Sequence, residues 1–256
     1  MVDRVRIVRG DTVAAQLREL LATPPADAAD WVEQHTHLLK SDANSRVGLL
    51  QLQQQQYCLK LYLARSARQK LLYRLGRGRP VRGFEVAREL AAANLPVPAA
   101  RACLAVPQGL LLLTEGIVDA VNLNDLWRQQ SARNDAGQVL HCAAQSIAQL
   151  HRAGYAHGDC KWSNLLWTGE RVYLVDLDGA GKAAMGSAGQ ARDLARFTLN
   201  AEEWALSPQL YRRFLQSYLR GTGGSQAQVV ASMLPQLHRL RARHLAKYGE
   251  RGQRLF

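Results

Sequence analysis

The chain has 256 residues, 47% of them hydrophobic, which is enough to bury one large core or the cores of two joined units. Lysine and arginine total 33 against 21 acidic residues, a net charge of +12 that favours an anionic partner. The four cysteines form no CxxC pair, and no apolar run approaches the roughly 20 residues that span a bilayer. We therefore expect a protein of the reducing cytoplasm, neither exported nor membrane-spanning.

The first half of the chain is rich in strand patterns. Two β-type runs, residues 47–52 and 57–63, flank four glutamines and predict a hairpin with Lys60 on its second strand. Residues 83–93 carry apolar side chains at helical spacing, and the prolines of "NLPVP" end that helix. The apolar run 109–115 predicts a buried strand.

The second half is mainly helical. Residues 137–152 keep helical apolar spacing, and Gly154 suits the left-handed residue that closes a helix. The segment "NLLWTGERVYLVD" predicts two short strands around a turn at residues 168–170, and helices follow from Arg192 onward. A short connection, residues 116–122, joins the two parts.

The stretch "HGDCKWSNLLW" places three polar groups just before an apolar run. If the two strands pair, Asn164 falls opposite Val175 or Asp176, which brings an amide and a carboxylate together. Such oxygen donors suit Mg²⁺, which is commonly held by one or two protein oxygens plus substrate phosphates. Asp159 could accept a hydroxyl proton, and Lys161 could neutralise charge on a transferring phosphoryl group.

The full pattern, H-x-D-x-K-x-x-N followed after 12 positions by D-L-D-G, resembles the protein-kinase catalytic loop and its metal-binding D-F-G. That resemblance requires a strand lysine, for which Lys60 in "YCLKLY" is the candidate. It also requires a helix glutamate as the partner of this lysine. We prefer Glu85 and keep Glu89 as the alternative. Glu115, at the end of the last strand of the first part, is assigned to the nucleotide site by the same resemblance.

The chain is similar to the lipopolysaccharide core kinases, the Kdo and heptose kinase group. The similarity rests on "CLKLY", the helix running into "NLPVP", "IAQLHRAGYAHGD" with "CKWSN", and "LVDLDGA" with "ARDLARF". It implies an α+β, protein-kinase-like bilobal fold with a small antiparallel-sheet N-lobe and a mainly helical C-lobe. The expected boundaries are 1–115 for the N-lobe, 116–122 for the hinge and 123–256 for the C-lobe.

The resemblance also implies a function. ATP and Mg²⁺ would be used to phosphorylate a heptose or Kdo hydroxyl of the lipopolysaccharide core or its lipid-linked precursor. The work would be done at the cytoplasmic face of the inner membrane, with no nucleic acid as partner. Two alternatives stay open: a kinase of another small molecule or protein, and a non-catalytic pseudokinase that binds nucleotide.

Three features depart from ordinary protein kinases. No G-x-G-x-x-G precedes Lys60, so "SDANSRVG" must cover the phosphates instead. Gly158 stands where the kinase loop has arginine, which argues against control by a phosphorylated activation loop. Only a short Gly- and Ala-rich segment separates Asp178 from Asp193, which leaves little to dock a peptide, so we expect a small or glycan acceptor.

Several residues keep two interpretations. Asp193 is either an ordinary helix-start residue or a brace for the catalytic loop. His157 is interpreted as a loop-packing residue, and His151 as a favourable charge at a helix end. Residues 65–82 contain seven basic residues and no acidic one, so they form either a solvated face or a dock for an anionic membrane surface.

Overall fold

The computed structural model describes residues 5–22, 27–129 and 135–256 of the chain. Its contacts divide the chain into two compact units. The first unit comprises Met1–Ala92 and Pro98–Val118, and the second comprises Ala93–Val97 and Asp119–Phe256. Ala93–Val97, which lies between the two parts of the first unit along the chain, is therefore grouped with the second unit.

The first unit is built on one antiparallel sheet flanked by helices. Its strands are β1 Arg6–Gly10, β2 His37–Ser41, β3 Ser45–Leu52, β4 Gln55–Leu63, β5 Ala100–Val106 and β6 Gly109–Glu115. Its helices are α1 Thr12–Ala22, α2 Ala28–His35, α3 Ala67–Arg74 and α4 Arg79–Ala92. The strand order is β1-β5-β6-β4-β3-β2, and each neighbouring pair is antiparallel.

The predicted hairpin and buried strand are confirmed. Strands β3 and β4 pair in register from Ser45 opposite Tyr62 to Leu52 opposite Gln55. The two-residue turn between them, Gln53 and Gln54, has φ angles of 47° and 66°, as the primed turns of tight hairpins require. Strand β6 has the predicted bounds and lies between β4 and β5, so the strand that carries Lys60 is held from both sides.

The core of the first unit lies between the sheet and the helices α1 and α2. Alternating residues of the central strands turn inward and meet apolar side chains from both helices. Fully buried members are Ala14, Leu17, Val32, Leu59, Leu61, Ala102, Leu104, Leu111 and Leu113. The predicted helix after the basic segment is confirmed as α4, which begins four residues earlier than expected.

The second unit is mainly helical. Its helices are α5 Leu123–Arg128, α6 Ala136–Arg152, α7 Ala188–Glu203, α8 Pro208–Thr222 and α9 Gln226–Tyr248. Its short strands are β7 Val121–Asn122, β8 Tyr155–Ala156, β9 Leu165–Trp167, β10 Val172–Leu174 and β11 Gly181–Lys182. Strands β10, β9 and β7 form one small antiparallel sheet, and β11 pairs with β8.

Helix α6 and an aromatic cluster organise the core of the second unit. The predicted helix is confirmed as α6, and Gly154 just beyond it has φ of +79°, a conformation that glycine adopts without strain. Trp162, Phe197 and Phe214 pack together, the two phenylalanine rings stacking with centroids 3.9 Å apart. All three side chains are fully buried, so the turn that carries Trp162 is anchored against α7 and α8.

Among the residues that the structure describes, no helix is both long and apolar enough to cross a bilayer. The predicted α+β class is confirmed by the antiparallel sheet of the first unit and the helical second unit.

Candidate active site

The loop predicted to be catalytic connects strand β8 to strand β9. The Lys161 amide donates to the Asp159 carbonyl at 2.8 Å, and the Asn164 amide donates to the Lys161 carbonyl at 2.9 Å. These two bonds turn the chain sharply through a short 3₁₀ segment, Trp162–Asn164. The structure therefore brings Asp159, Lys161 and Asn164 together, and the buried Trp162 anchors the turn.

The Asp159 carboxylate is oriented by cations on both sides. Lys161 Nζ lies 2.8 Å from Oδ2, and Arg196 Nη1 lies 2.8 Å from Oδ1. The Asn164 side-chain amide donates to the Asp159 carbonyl at 3.0 Å and to Oδ2 at 3.3 Å. The Asp159 side chain is still 32% exposed, so a hydroxyl group can approach it from solvent. A fixed, accessible carboxylate of this kind can act as a general base.

Arg196 is a site residue that sequence reasoning missed. It lies on α7 three residues after Asp193, a spacing that places both side chains on the same face of a helix. Its Nε is buried and donates to no described atom, while Nη1 binds Asp159. The signal was present in "ARDLARF", but only the tertiary contact reveals which carboxylate the arginine reaches.

Asp193 braces the catalytic loop, and the brace interpretation is confirmed. The residue lies within α7 rather than at its start, and its side chain is completely buried. The backbone amides of His157 and Gly158 donate to its two carboxylate oxygens at 2.6 and 2.9 Å. Charge-assisted bonds to two consecutive amides hold the start of the loop in one conformation.

His151 and Tyr218 complete this buried network. His151 lies in the last turn of α6, as expected, but its ring is fully buried. Its Nε2 lies 3.3 Å from an Asp193 oxygen and its Nδ1 lies 2.8 Å from the Tyr218 hydroxyl. Burial raises the pKa of the Tyr218 phenol, and the nearby Asp193 carboxylate adds to that effect, so the phenol remains protonated. His151 thus lies within a buried hydrogen-bond network rather than at an exposed helix end.

His157 packs the loop, as expected. The ring is fully buried, and the Asp159 amide donates to its Nδ1 over 3.4 Å. Burial lowers the pKa of His157, although the charges of Asp193, Asp176 and Asp159 oppose that effect. The imidazole is therefore neutral near pH 7 and has no access to solvent for acid or base chemistry.

Gly158 has a structural reason for standing where protein kinases have arginine. Its φ is +81°, in the left-handed region, and a Cβ at this position would overlap the Gly179 carbonyl oxygen. Any side chain would push apart the catalytic loop and the segment that follows Asp176. The departure from the kinase pattern therefore lets these two segments approach closely.

Asn164 and Asp176 are the predicted oxygen donors of a magnesium site, and that role stays a prediction. The Val175 amide donates to the Asn164 carbonyl at 3.0 Å, which confirms the predicted register within one residue. Asp176 has φ of 62° and ψ of 56°, a strained conformation for a residue with a side chain and one that clusters at functional sites. Because the Asn164 amide nitrogen points to Asp159, its oxygen is the atom available to a cation.

The donor set fits Mg²⁺ better than a softer metal. Amide and carboxylate oxygens are hard ligands, and Mg²⁺ usually takes few of them from the protein. Within the described ranges no group of three or more His, Cys, Asp or Glu side chains could hold a metal ion, so a dedicated all-protein cage is not seen there.

Lys60 lies in the first unit, in the middle of strand β4. In the sheet it stands opposite Val47 of β3 and Leu112 of β6. Its Nζ lies 4.7 Å from the centre of the Tyr62 ring. The central strand fixes the position of the lysine backbone, as a phosphate-binding lysine requires, but its role as such stays a prediction.

Glu85, the preferred partner of Lys60, contacts two arginines. Its Oε1 accepts from Arg9 Nε at 2.6 Å, and its Oε2 lies 3.7 Å from Arg88. The carboxylate is thereby paired with arginines of β1 and α4. The identity of the lysine partner stays a prediction.

Glu115 ends strand β6 and is held by Arg101. The Arg101 Nε donates to its Oε1 at 2.9 Å, and the Glu115 amide donates to the Ala99 carbonyl, also at 2.9 Å. This contact raises the pKa of Arg101. The structure thus fixes both the side chain and the backbone of Glu115, and its assignment to the nucleotide site stays a prediction.

The turn expected to cover the phosphates is closed by its own aspartate. The amides of Asn44 and Ser45 donate to Asp42 Oδ1 at 2.7 and 2.8 Å. The neighbouring Lys40 and these amides hold the pKa of Asp42 well below its usual range. Two amides that a glycine-rich loop would offer to phosphate are therefore already used.

The fold is of the protein-kinase-like class. A solved structure entitled "WaaP in complex with acyl carrier protein" matches 96% of this chain and 99% of its own, with a TM-score of 0.58 and 18% sequence identity. At that identity the likeness establishes the fold alone.

The chain belongs to the lipopolysaccharide kinase (Kdo/WaaP) family, whose sequence profile matches residues 27–218. A 3-deoxy-D-manno-octulosonic acid kinase of Xanthomonas oryzae pv. oryzae (strain PXO99A) is 34% identical over 121 residues, 45% of this chain and 47% of that kinase. The corresponding kinase of Xanthomonas euvesicatoria pv. vesicatoria is 33% identical over 121 residues, again 45% of this chain and 47% of that kinase. The matched part of the chain thus spans about half the length of these curated relatives.

Proposed function

We propose that the protein is an ATP- and Mg²⁺-dependent kinase that phosphorylates a hydroxyl of 3-deoxy-D-manno-octulosonic acid (Kdo) in the lipopolysaccharide inner core. The observation that carries this proposal is the Asp159 carboxylate, oriented by Lys161 and Arg196 and open to solvent. Family membership supports the reaction class. The octulosonic acid kinases among the relatives favour Kdo over heptose as the accepting sugar.

The proposed reaction is a single in-line displacement at the γ-phosphorus, with Asp159 as the base. The acceptor hydroxyl gives its proton to the Asp159 carboxylate while its oxygen forms a bond to the γ-phosphorus of ATP. The bond between that phosphorus and the bridging oxygen breaks, and ADP leaves with the electron pair. Lys161 and Arg196 stabilise the negative charge carried by the transferring group and the attacking oxygen.

Nucleotide and metal would be held by other predicted residues. Asn164 and Asp176 would bind Mg²⁺, which when bound neutralises charge on the phosphates. Lys60 would bind phosphate oxygens, with Glu85 or Glu89 orienting its ammonium group, and Glu115 would contribute to nucleotide binding.

A basic surface of the first unit would bring the enzyme to its substrate. Leu71 and Leu75 are each 58% exposed on and just after α3, among the arginines and lysine of residues 65–82. Apolar side chains flanked by basic ones suit peripheral binding to an anionic membrane, with about 1 kcal/mol from each basic residue near the surface. We propose that this surface contacts the cytoplasmic face of the inner membrane, where the core or its lipid-linked precursor is found.

The test is phosphorylation of a defined acceptor. Purified full chain, ATP and Mg²⁺ are incubated with lipid A bearing the octulosonic acid, and the product is analysed by mass spectrometry. We expect one added phosphate on the sugar, and none with Asp176→Ala, because that change removes a metal ligand at a surface position. A gain of phosphate only on heptose-bearing core would move the specificity to heptose. ATP binding without phosphorylation of either acceptor would favour a pseudokinase.

A further inference from the structure

A cavity in the second unit borders the reacting carboxylate. It has a volume of about 350 Å³ and lies between the catalytic loop, α7 and the end of α9. Lys161 and Arg196 line it, and both also contact Asp159 at 2.8 Å. A molecule in this cavity therefore lies beside the group that is proposed to receive the acceptor proton.

The lining of the cavity is predominantly cationic. Lys161, Arg196 and Arg251 contribute three permanent charges, and His244 contributes an imidazole. The one carboxylate in the lining, Glu203, is already engaged, because its Oε1 lies 2.9 Å from His244 Nε2. Asn200 also donates to Glu203. The cavity thus has cationic groups in excess over carboxylates and suits an anionic ligand.

Arg251 is the cation best placed to recognise such a ligand. Within the part of the chain that the structure describes, no carboxylate lies at ion-pair distance from it, whereas Lys161 and Arg196 are both paired with Asp159. Its guanidinium carbon lies 5.5 Å from the centre of the Tyr248 ring. An arginine supported by an aromatic face keeps its N–H edge available for a two-point bond to a carboxylate or phosphate.

The segment that carries Arg251 is fixed by α7. The Gln253 amide donates to the Glu202 carbonyl at 2.9 Å, and the Leu255 amide donates to Glu202 Oε1 at 2.9 Å. Gly252 has φ of +72°, and a Cβ there would overlap the Glu202 carbonyl oxygen. The chain after α9 is therefore folded back against α7, and this contact positions Arg251 at the cavity.

We propose that this cavity binds the carboxylate of the acceptor sugar and that Arg251 is the residue that recognises it. The inference rests on the proposed function, because it names how the site selects an acidic sugar. A carboxylate held at Arg251 places the sugar ring over Lys161 and Arg196, with one hydroxyl directed to Asp159. Neutral sugars lack the group that this arginine binds.

The test compares two acceptors that differ only at the carboxyl group, which is ionised in one and esterified in the other. The methyl glycoside of the octulosonic acid and the methyl ester of that glycoside are assayed with ATP and Mg²⁺. We expect wild-type protein to prefer the acid by about 10- to 100-fold in kcat/KM, the range of a charge-assisted hydrogen bond. Arg251→Gln should remove most of that preference by raising KM for the acid, with kcat little changed. Arg254→Gln, an exposed arginine of the same segment outside this cavity, should behave as wild type.

Equal use of acid and ester by the wild type, or an Arg251→Gln protein that keeps the preference, would overturn the inference while leaving the kinase intact. Phosphorylation of neither acceptor would instead count against the proposed function. In that case calorimetric binding of the acid and the ester to wild type and Arg251→Gln decides the inference directly. Tighter binding of the acid that depends on Arg251 supports it, and equal binding overturns it.

Discussion

Two carboxylates, one within the loop and one on α7 beside it, have opposite environments. Asp193 is completely buried and accepts hydrogen bonds from the amides of His157 and Gly158. Asp159, the next residue along the loop, is about one-third exposed and contacts Lys161. Burial gives the first carboxylate fixed protein partners and no access to substrate, whereas exposure leaves the second open to a reacting group. Within three residues the loop therefore passes from amides anchored by a buried carboxylate to a carboxylate that solvent can reach.

The largest effect should come from removing the exposed carboxylate. Asp159→Asn keeps the size of the side chain but removes the base, so we expect kcat to fall by about 10²- to 10⁴-fold. ATP affinity, measured by calorimetry with Mg²⁺, should stay within a few-fold of wild type, because Asp159 is proposed to contact the acceptor hydroxyl. The urea midpoint should barely change. Full activity in this variant would show that the loop does not perform the chemistry.

Replacing the buried carboxylate should instead lower the stability of the protein. Asp193→Asn presents an NH₂ group to backbone amides that need an acceptor, and each buried donor left unsatisfied costs about 1–3 kcal/mol. We expect the free energy of unfolding, measured by urea denaturation, to fall by about that amount. Asp159→Asn is the matched control, since it alters a partly exposed carboxylate of the same site. An unchanged midpoint in Asp193→Asn would contradict the brace.

The smallest effect concerns pH and His157. Burial lowers the pKa of His157 in the folded state. Below about pH 6.5 the unfolded chain therefore binds a proton at this residue more readily than the folded chain does. The contribution of neutral His157 to the free energy of unfolding should therefore be fully present above pH 6.5. It should be lost on acidification, with a slope of up to about 1.4 kcal/mol per pH unit. His157→Gln should flatten this part of the profile.

The control for this measurement is His37→Gln, which alters an exposed histidine of β2 and should keep the wild-type slope. The readout is urea unfolding at several pH values between 7.5 and 5. An identical slope in wild type and His157→Gln would show that His157 is protonated as easily in the folded protein as in the unfolded chain.

Much of the candidate site could be predicted because its spacing is local. Asp159, Lys161 and Asn164 lie within six positions, and two backbone hydrogen bonds are enough to bring them together. The register of the β9–β10 hairpin, which sets Asn164 opposite Val175, follows from the alternation of apolar residues and the turn between the strands. The helix α6 and the strand β6 likewise follow from periodicity over a single segment.

The edge strands and flanking helices of the first unit were not predicted. Strand β1 pairs with β5 although almost a hundred residues separate them, and β5 itself was not recognised. Helices α1 and α2 bury their apolar faces on a sheet whose strands lie far along the chain. Ala93–Val97 groups with the second unit, where the Leu174 amide donates to the Pro96 carbonyl at 2.8 Å. Short elements with weak periodicity acquire their structure from such distant partners.

The sequence by itself determined the chemical groups of the site and the hairpin that presents them, because both depend on spacing within one short segment. Only the tertiary structure decided that Arg196 binds Asp159, that Asp193 serves the loop rather than a helix end, and that Arg251 reaches the same cavity. Those contacts join residues 35 to 90 positions apart in the chain. No periodicity encodes them, since they arise when α7 and α9 pack against each other and bring distant side chains to one surface.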